Sequence, residues 1–191
     1  MKEILKYLYK LRADNPDTGG YAYKAQTRDI AVVELLFATG IRVSELCELS
    51  CDAVDLKQAT VKVFGKGSKE RVIQICSVEV LKILRQYQRL FAPSKCFFIN
   101  RLGNRLSSQS VRLLIKRCRE ETGIGKKITP HTFRHTFATL LLEEDVDIKY
   151  IQNLLGHSSI TTTQIYTHVN MNKQKKILSS KHPRKKMEME E

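Results

Sequence analysis

T-P-H-T-F-R-H-T-F-A-T-L-L-L-E, residues 129–143, carries the densest set of structural and chemical signals in the chain. Thr129 supplies a capping hydroxyl, and Pro130 sits in the first turn, where a missing N–H costs nothing. Phe133, Phe137, Leu140 and Leu141 then recur at i, i+4, i+7 and i+8, the core stripe of a helix over 130–143. At 100° per residue, His131 and Arg134 fall only about 60° apart around the axis and away from Phe133, Phe137 and Leu140. One imidazole and one guanidinium are therefore expected to project together from the face opposite the core. For an isolated H-x-x-R the ordinary reading is two solvated polar residues. His135 stands four residues after His131, the spacing of a zinc-binding helix, but position 132 is Thr where an H-E-x-x-H helix has its glutamate base. His135 lies on the far side of His131 from Arg134 and reads as a structural histidine.

Outward from this helix the rest of the chain falls into place. Asp147 caps a short helix bearing Ile148, Ile151, Leu154 and Leu155, which stops at Gly156. Upstream, Ser107 opens a helix over 108–121 with Val111, Leu114, Ile115 and Cys118 on one stripe and Arg112, Lys116 and Arg119 on a neighbouring one. That second stripe holds cations only, which suits nucleic acid as well as solvent. Further helices are predicted over 2–12, 26–39, 43–49 and 78–91, the second nearly all apolar from Ile30 to Ala38 and closed by Gly40. The period changes at 60–64 and 71–75, which alternate like strands around the basic, glycine-rich tip Gly65-Lys66-Gly67-Ser68-Lys69-Glu70. The fold class is mainly α with one small antiparallel β-sheet, an α+β domain.

The chain has 191 residues and a formal net charge of +13, with 42% hydrophobic residues, a globular composition suited to a polyanionic partner. No apolar run approaches the roughly 18 residues of a membrane span, and the N-terminus lacks the features of a signal peptide, so a cytoplasmic location is expected. The five cysteines, Cys47, Cys51, Cys76, Cys96 and Cys118, form no C-x-x-C pair and read as reduced thiols rather than as metal ligands. No metal and no cofactor is expected.

Singly, the remaining polar residues have ordinary explanations. His157 after Gly156 suits a helix C-terminus, Tyr166 a packing role, and Lys66 a solvated turn. Arg42, just after a glycine-ended helix, suits an ordinary phosphate or carboxylate contact. Together they form an ordered set: A-T-G-I-R-V-S-E-L (38–46), G-K-G-S-K-E-R (65–71), H-T-F-R-H-T-F-A-T (131–139), L-L-G-H (154–157) and Y-T-H-V (166–169). This set closely resembles the tyrosine recombinase (phage integrase) family, nearest to its Xer-like members, over about residues 26–170.

The resemblance implies a role for each matched residue. Arg42 corresponds to the family's first catalytic arginine, Lys66 to the lysine on its β-hairpin, His131 and Arg134 to its H-x-x-R pair, His157 to its second histidine, and Tyr166 to its nucleophile. Lys69, Arg71, Arg112, Lys116 and Arg119 are expected on the DNA. The implied reaction is attack by Tyr166 on a phosphodiester to give a 3′-phosphotyrosyl link and a free 5′-hydroxyl, without metal or ATP. Tyrosine ionises near pH 10, so it needs help at neutral pH, and two guanidinium forks fit the non-bridging phosphate oxygens. His131 is placed to assist proton removal, His157 to add a donor, and Lys66 to protonate the departing 5′ oxygen.

The resemblance also implies double-stranded DNA as partner, a tetramer on DNA and a monomer when free. Residues 1–170 are expected to be the catalytic domain, without the family's N-terminal core-binding domain. An excised domain is favoured over a naturally short recombinase, with weaker and less site-specific binding in either case. Residues 171–191 form a basic tail, with Ile177 and Leu178 expected against a neighbouring protomer or loose in a monomer, and disorder beyond. Three other readings compete: a DNA-binding module without catalysis, a metal-dependent nuclease built on His131 and His135, and a type IB topoisomerase sharing the same chemistry.

Overall fold

The computed structural model describes residues 1–65, 70–91, 94–156, 175 and 177–183. The chain opens with α1 (Lys2–Ala13), which buries Ile4, Leu5 and Leu8 against α2 (Tyr21–Thr39). An Asp17 turn, in which Oδ1 accepts from the N–H groups of Gly19 and Gly20, ends the connection and lets α2 begin five residues before the predicted start. That first turn lacks a core stripe, with Tyr21 and Ala22 exposed, so no apolar period announces it. From Asp29 to Thr39 every residue of α2 is buried, as its continuous apolar run implies. Gly40 closes it in the left-handed conformation, φ +62°, with its N–H on Leu36 O.

After α3 (Val43–Glu48) and a single 3₁₀ turn, three antiparallel strands follow in the order β1 (Val54–Asp55), β2 (Thr60–Phe64), β3 (Glu70–Gln74). Val61 pairs with Ile73 and Val63 with Arg71, so Val61, Val63 and Ile73 all face the core. The predicted hairpin is present, and β1 adds a third strand too short for periodicity to reveal. Residues 66–69 of the hairpin tip lie outside the described residues.

Next come α4 (Val78–Leu90), α5 (Ser108–Glu121), α6 (Pro130–Glu143) and α7 (Ile148–Leu155). Their starts follow from the capping residues: Ser77, Ser107 and Asp147 each accept a backbone N–H of the first turn. The buried Tyr87 of α4 donates to Phe97 O at 2.9 Å and accepts from the Ile99 N–H at 3.1 Å, tying the segment after α4 to the core.

Two hydrophobic clusters share α6. Phe133 belongs to the larger one, built on α2, α4 and α5, while Phe137 and Leu141 join Ile151, Leu154 and Leu155 of α7 in the smaller. Leu178 completes the smaller cluster with 0% exposure and Ile177 packs beside it. The tail residues expected against a neighbour or loose thus sit on their own chain, because α6 and α7 leave an apolar seat that Leu178 fills. His182 extends the docking: its Nε2 lies 2.8 Å from Ala38 O, and its ring meets Phe137 edge-on. Lys181 Nζ donates to Glu144 O. Among the described residues no helix is long and apolar enough to cross a membrane.

Candidate active site

Three arginines converge on the C-terminal turn of α7. Arg42 precedes α3, Arg71 lies on β3, and Arg134 on α6. The last carbonyls of a helix have no partners within it and carry its negative dipole end, so cations gather there. Arg71 Nε donates to Leu154 O at 3.0 Å, Arg134 Nη2 to Leu155 O at 2.6 Å, and Arg42 Nη2 to Gly156 O at 3.3 Å. Three successive carbonyls are thus each taken by a different guanidinium. Arg134 Nη1 also donates to Gly40 O at 2.8 Å, joining the ends of α2 and α7.

Glu45 lies at the centre of this group. Its Oε2 accepts the Arg42 backbone N–H at 2.7 Å and Arg71 Nη2 at 2.8 Å, and its Oε1 accepts Arg42 Nη1 at 2.9 Å and Arg71 Nη1 at 3.0 Å. Burial alone raises a carboxyl's pKa, but these hydrogen bonds and the charge of Arg71 hold Glu45 below its usual value. Glu45 is therefore ionised at neutral pH. Arg134 is pulled down to about 10, first by burial and then by the charge of Arg42, with Arg71 contributing in the same direction. It remains a cation at neutral pH. Three guanidiniums around one carboxylate leave an excess of positive charge where the chain ends α7.

The sequence-predicted residues divide as follows. Arg42 and Arg134 come together. His131 shares the first turns of α6 and is exposed, whereas Arg134 is only 7% exposed. The expectation of a pair on the solvent face is thus corrected for Arg134: it stands about 20° round the helix from the buried Leu141, at the edge of the buried stripe, where it meets the ends of α2 and α7. His135 is exposed, against the expectation of a structural histidine. Lys66, Lys69, His157 and Tyr166 lie outside the described residues.

Arg71 lies beside Glu45. Expected on DNA, its side chain is 13% exposed and spends its donors on Glu45 and Leu154. On α5, Arg112 and Lys116 are exposed and Arg119 is half-buried, on the side away from Val111, Ile115 and Cys118. The stripe is not purely cationic in space, because Glu120 lies 3.9 Å from Lys116 Nζ and 3.4 Å from Arg119 Nη2. All five cysteines are free, and burial pushes the Cys118 thiol up to about 12. Among the described residues no group of three or more His, Cys, Asp or Glu side chains is arranged to hold a metal.

Sequence reasoning missed Glu45. Its only local sign was an acid at the third position of a helix preceded by Arg42, which also describes an ordinary N-terminal capping carboxylate.

The phage integrase family model matches residues 13–173. A tyrosine recombinase of Agathobacter rectalis is 50% identical over 189 residues, covering 97% of this chain and 61% of that protein. Tyrosine recombinase XerC of Thermodesulfovibrio yellowstonii is 44% identical over 165 residues, covering 82% of this chain and 55% of that protein. Among solved structures, the XerA recombinase superposes with a TM-score of 0.69 at 32% identity, covering 96% of this chain and 64% of that one. The chain therefore spans between half and two thirds of the length of these relatives.

Proposed function

Since this chain belongs to the phage integrase family, as a Xer-like tyrosine recombinase domain, we propose that it is the catalytic domain of a site-specific DNA recombinase. Arg42 and Arg134 bind the non-bridging oxygens of the scissile phosphate. Their donors strengthen as charge builds in the pentavalent transition state. Tyr166 Oη attacks phosphorus, the bond to the 5′ oxygen breaks, and the products are a 3′-phosphotyrosyl link and a 5′-hydroxyl. His131 assists removal of the tyrosine proton, His157 adds a donor to the phosphate, and Lys66 delivers a proton to the leaving oxygen. One phosphodiester is exchanged for another, so a second 5′-hydroxyl can reverse the step and complete strand exchange without ATP.

One observation carries this reading: two guanidiniums from separate elements, Arg42 and Arg134, are fixed side by side on the Leu155 and Gly156 carbonyls, within an excess of positive charge. Hydrogen bonds anchored in the fold pre-orient these cations for a phosphate, which lowers the reorganisation required at the transition state. A DNA-binding module alone gives no reason for such convergence. Double-stranded DNA is the partner, with Arg112, Lys116 and Arg119 of α5, together with Lys69, contributing phosphate contacts. The assembly on DNA is a tetramer.

The test is covalent trapping on a nicked suicide duplex in EDTA, comparing wild type with Tyr166→Phe. An adduct formed by wild type and absent from Tyr166→Phe is the expected result. An adduct that persists in Tyr166→Phe, or cleavage that requires an added divalent metal, overturns the mechanism.

A further inference from the structure

We infer that Arg71 is a positioning residue of this centre: it fixes Glu45, and through Glu45 the guanidinium of Arg42, against the C-terminal turn of α7. The inference rests on the reading of Arg42 as a phosphate-binding residue, and it gives Arg71 a role other than direct contact with DNA.

The geometry is specific to a guanidinium. Arg71 forms two parallel bonds to Glu45, of 3.0 and 2.8 Å, while its Nε reaches Leu154 O at 3.0 Å. One planar group thus joins β3, α3 and α7, segments separated by 26 and 83 residues in sequence. An ammonium is a point donor and cannot hold this three-way fork. The path is also built for it. A Cβ on Gly156 would lie 2.8 Å from Arg71 Nη1 and 3.0 Å from its Cζ, so the absence of a side chain at Gly156 gives the guanidinium its passage.

The consequence for Arg42 follows from the sharing of Glu45. Both carboxylate oxygens accept from both arginines, so Arg71 takes up half of the carboxylate's hydrogen-bonding capacity. Without Arg71, Glu45 is released to form a full two-bond pair with the Arg42 guanidinium. That pairing would draw Arg42 from Gly156 O and set the carboxylate in competition with the DNA phosphate. The loss should therefore appear in the rate of the chemical step, with little change in DNA affinity.

Single-turnover cleavage of the suicide duplex at saturating DNA, together with duplex affinity across a salt series, separates the outcomes for wild type, Arg71→Lys and Arg71→Ala. The expected result is a fall in the saturated rate of about 10- to 100-fold for both variants, a range set by misplacement of about 1 Å. The salt slope of binding should stay at the wild-type value. A direct phosphate contact instead predicts that Arg71→Lys keeps the rate and that Arg71→Ala lowers the slope by about one ion. That pattern overturns the inference, as does a lower melting temperature with an unchanged rate per folded molecule. Because Arg71→Ala strands a buried carboxylate, the pair Arg71→Gln and Arg71→Gln/Glu45→Gln supplies a second arm. The double variant should lose no more rate than the single one, and a further loss overturns the competition mechanism. Absence of an adduct from wild type itself strikes the proposed function instead, so the two failures are distinguishable.

Discussion

Arg134 Nη1 donates to the carbonyl of Gly40 at 2.8 Å, so a candidate catalytic guanidinium is bonded to the residue that terminates α2, whose residues from Asp29 to Thr39 are all buried. Gly40 can occupy that place for two reasons. Its φ of +62° is left-handed, and a Cβ there would fall 2.6 Å from Phe137 Cδ1 and 2.8 Å from Leu155 Cδ2. Gly40→Ala should therefore cost about 2–4 kcal/mol, combining left-handed strain with overpacking. Urea unfolding of the variant measures it, and a loss indistinguishable from zero would show that the close approach is not there.

Arg134→Ala should be costly in two separate ways. Gly40 O and Leu155 O would each lose a charged donor in a buried setting, at about 1–3 kcal/mol apiece. Adduct formation should also fall by at least about a hundredfold, the scale for loss of one transition-state donor. Denaturant unfolding and suicide-duplex trapping read the two losses independently. Retention of both stability and trapping would contradict the assignment.

Acid should loosen the arginine cluster through Glu45. Its carboxyl is held below its ordinary value in the folded chain, so the stability it contributes is fully present above the unfolded pKa. That contribution disappears as pH falls through the lowered folded value. Urea midpoints measured from about pH 7 down to about pH 3 should fall less steeply for Glu45→Gln than for wild type, since the glutamine has no proton to gain. Parallel acid limbs would show that Glu45 is not coupled to folding.

Leu178→Ala should release the docked tail. Removal of a buried leucine costs about 2–5 kcal/mol, and here the loss falls on one short segment seated against α6 and α7. Trypsin cleavage at Lys175 and Lys181 should become faster while the remainder of the domain stays resistant. An unchanged cleavage rate would show that Leu178 does not secure the tail.

On α5, Arg112→Ala should lower the salt slope of duplex binding by about one ion if Arg112 contacts a phosphate. Lys116→Ala and Arg119→Ala should lower it less, because Glu120 already offsets both side chains. Equal slopes for all three variants would assign the stripe to solvent.

The helices were readable in the chain where caps and apolar spacing coincide, as at Ser107 with Val111 and Ile115, or at Asp147 with Ile151 and Leu155. The early start of α2 was not, because its first turn carries no buried stripe and depends on a side-chain turn at Asp17. Individually, Arg42 and Arg134 were marked by their motifs. Their mutual geometry was not, since it depends on the carbonyls of Leu155 and Gly156, and backbone acceptors are identical at every position. A helical wheel puts Arg134 about 20° from Leu141 and about 100° from Phe133, at the edge of the buried stripe, but cannot show what lies beyond that edge. The ends of α2 and α7 meet that edge and enclose Arg134, and Arg71 on an alternating strand is drawn inward to a carboxylate.

The division of α6 between two clusters runs along its length, so one stripe of a single helix serves two compartments. Phe133 enters one compartment, and Phe137 and Leu141, one and two turns further along the same face, enter the other, which α7 and the tail close. Compartments of such unequal size open with unequal free energies, so amide exchange should separate a slow body from a faster lobe. Arg134 joins the two frames, with Gly40 O at the end of α2 and Leu155 O at the end of α7. Each breath of the lobe would then take away one of its two anchors and leave the other, making this arginine a hinge pin between a rigid frame and a yielding door.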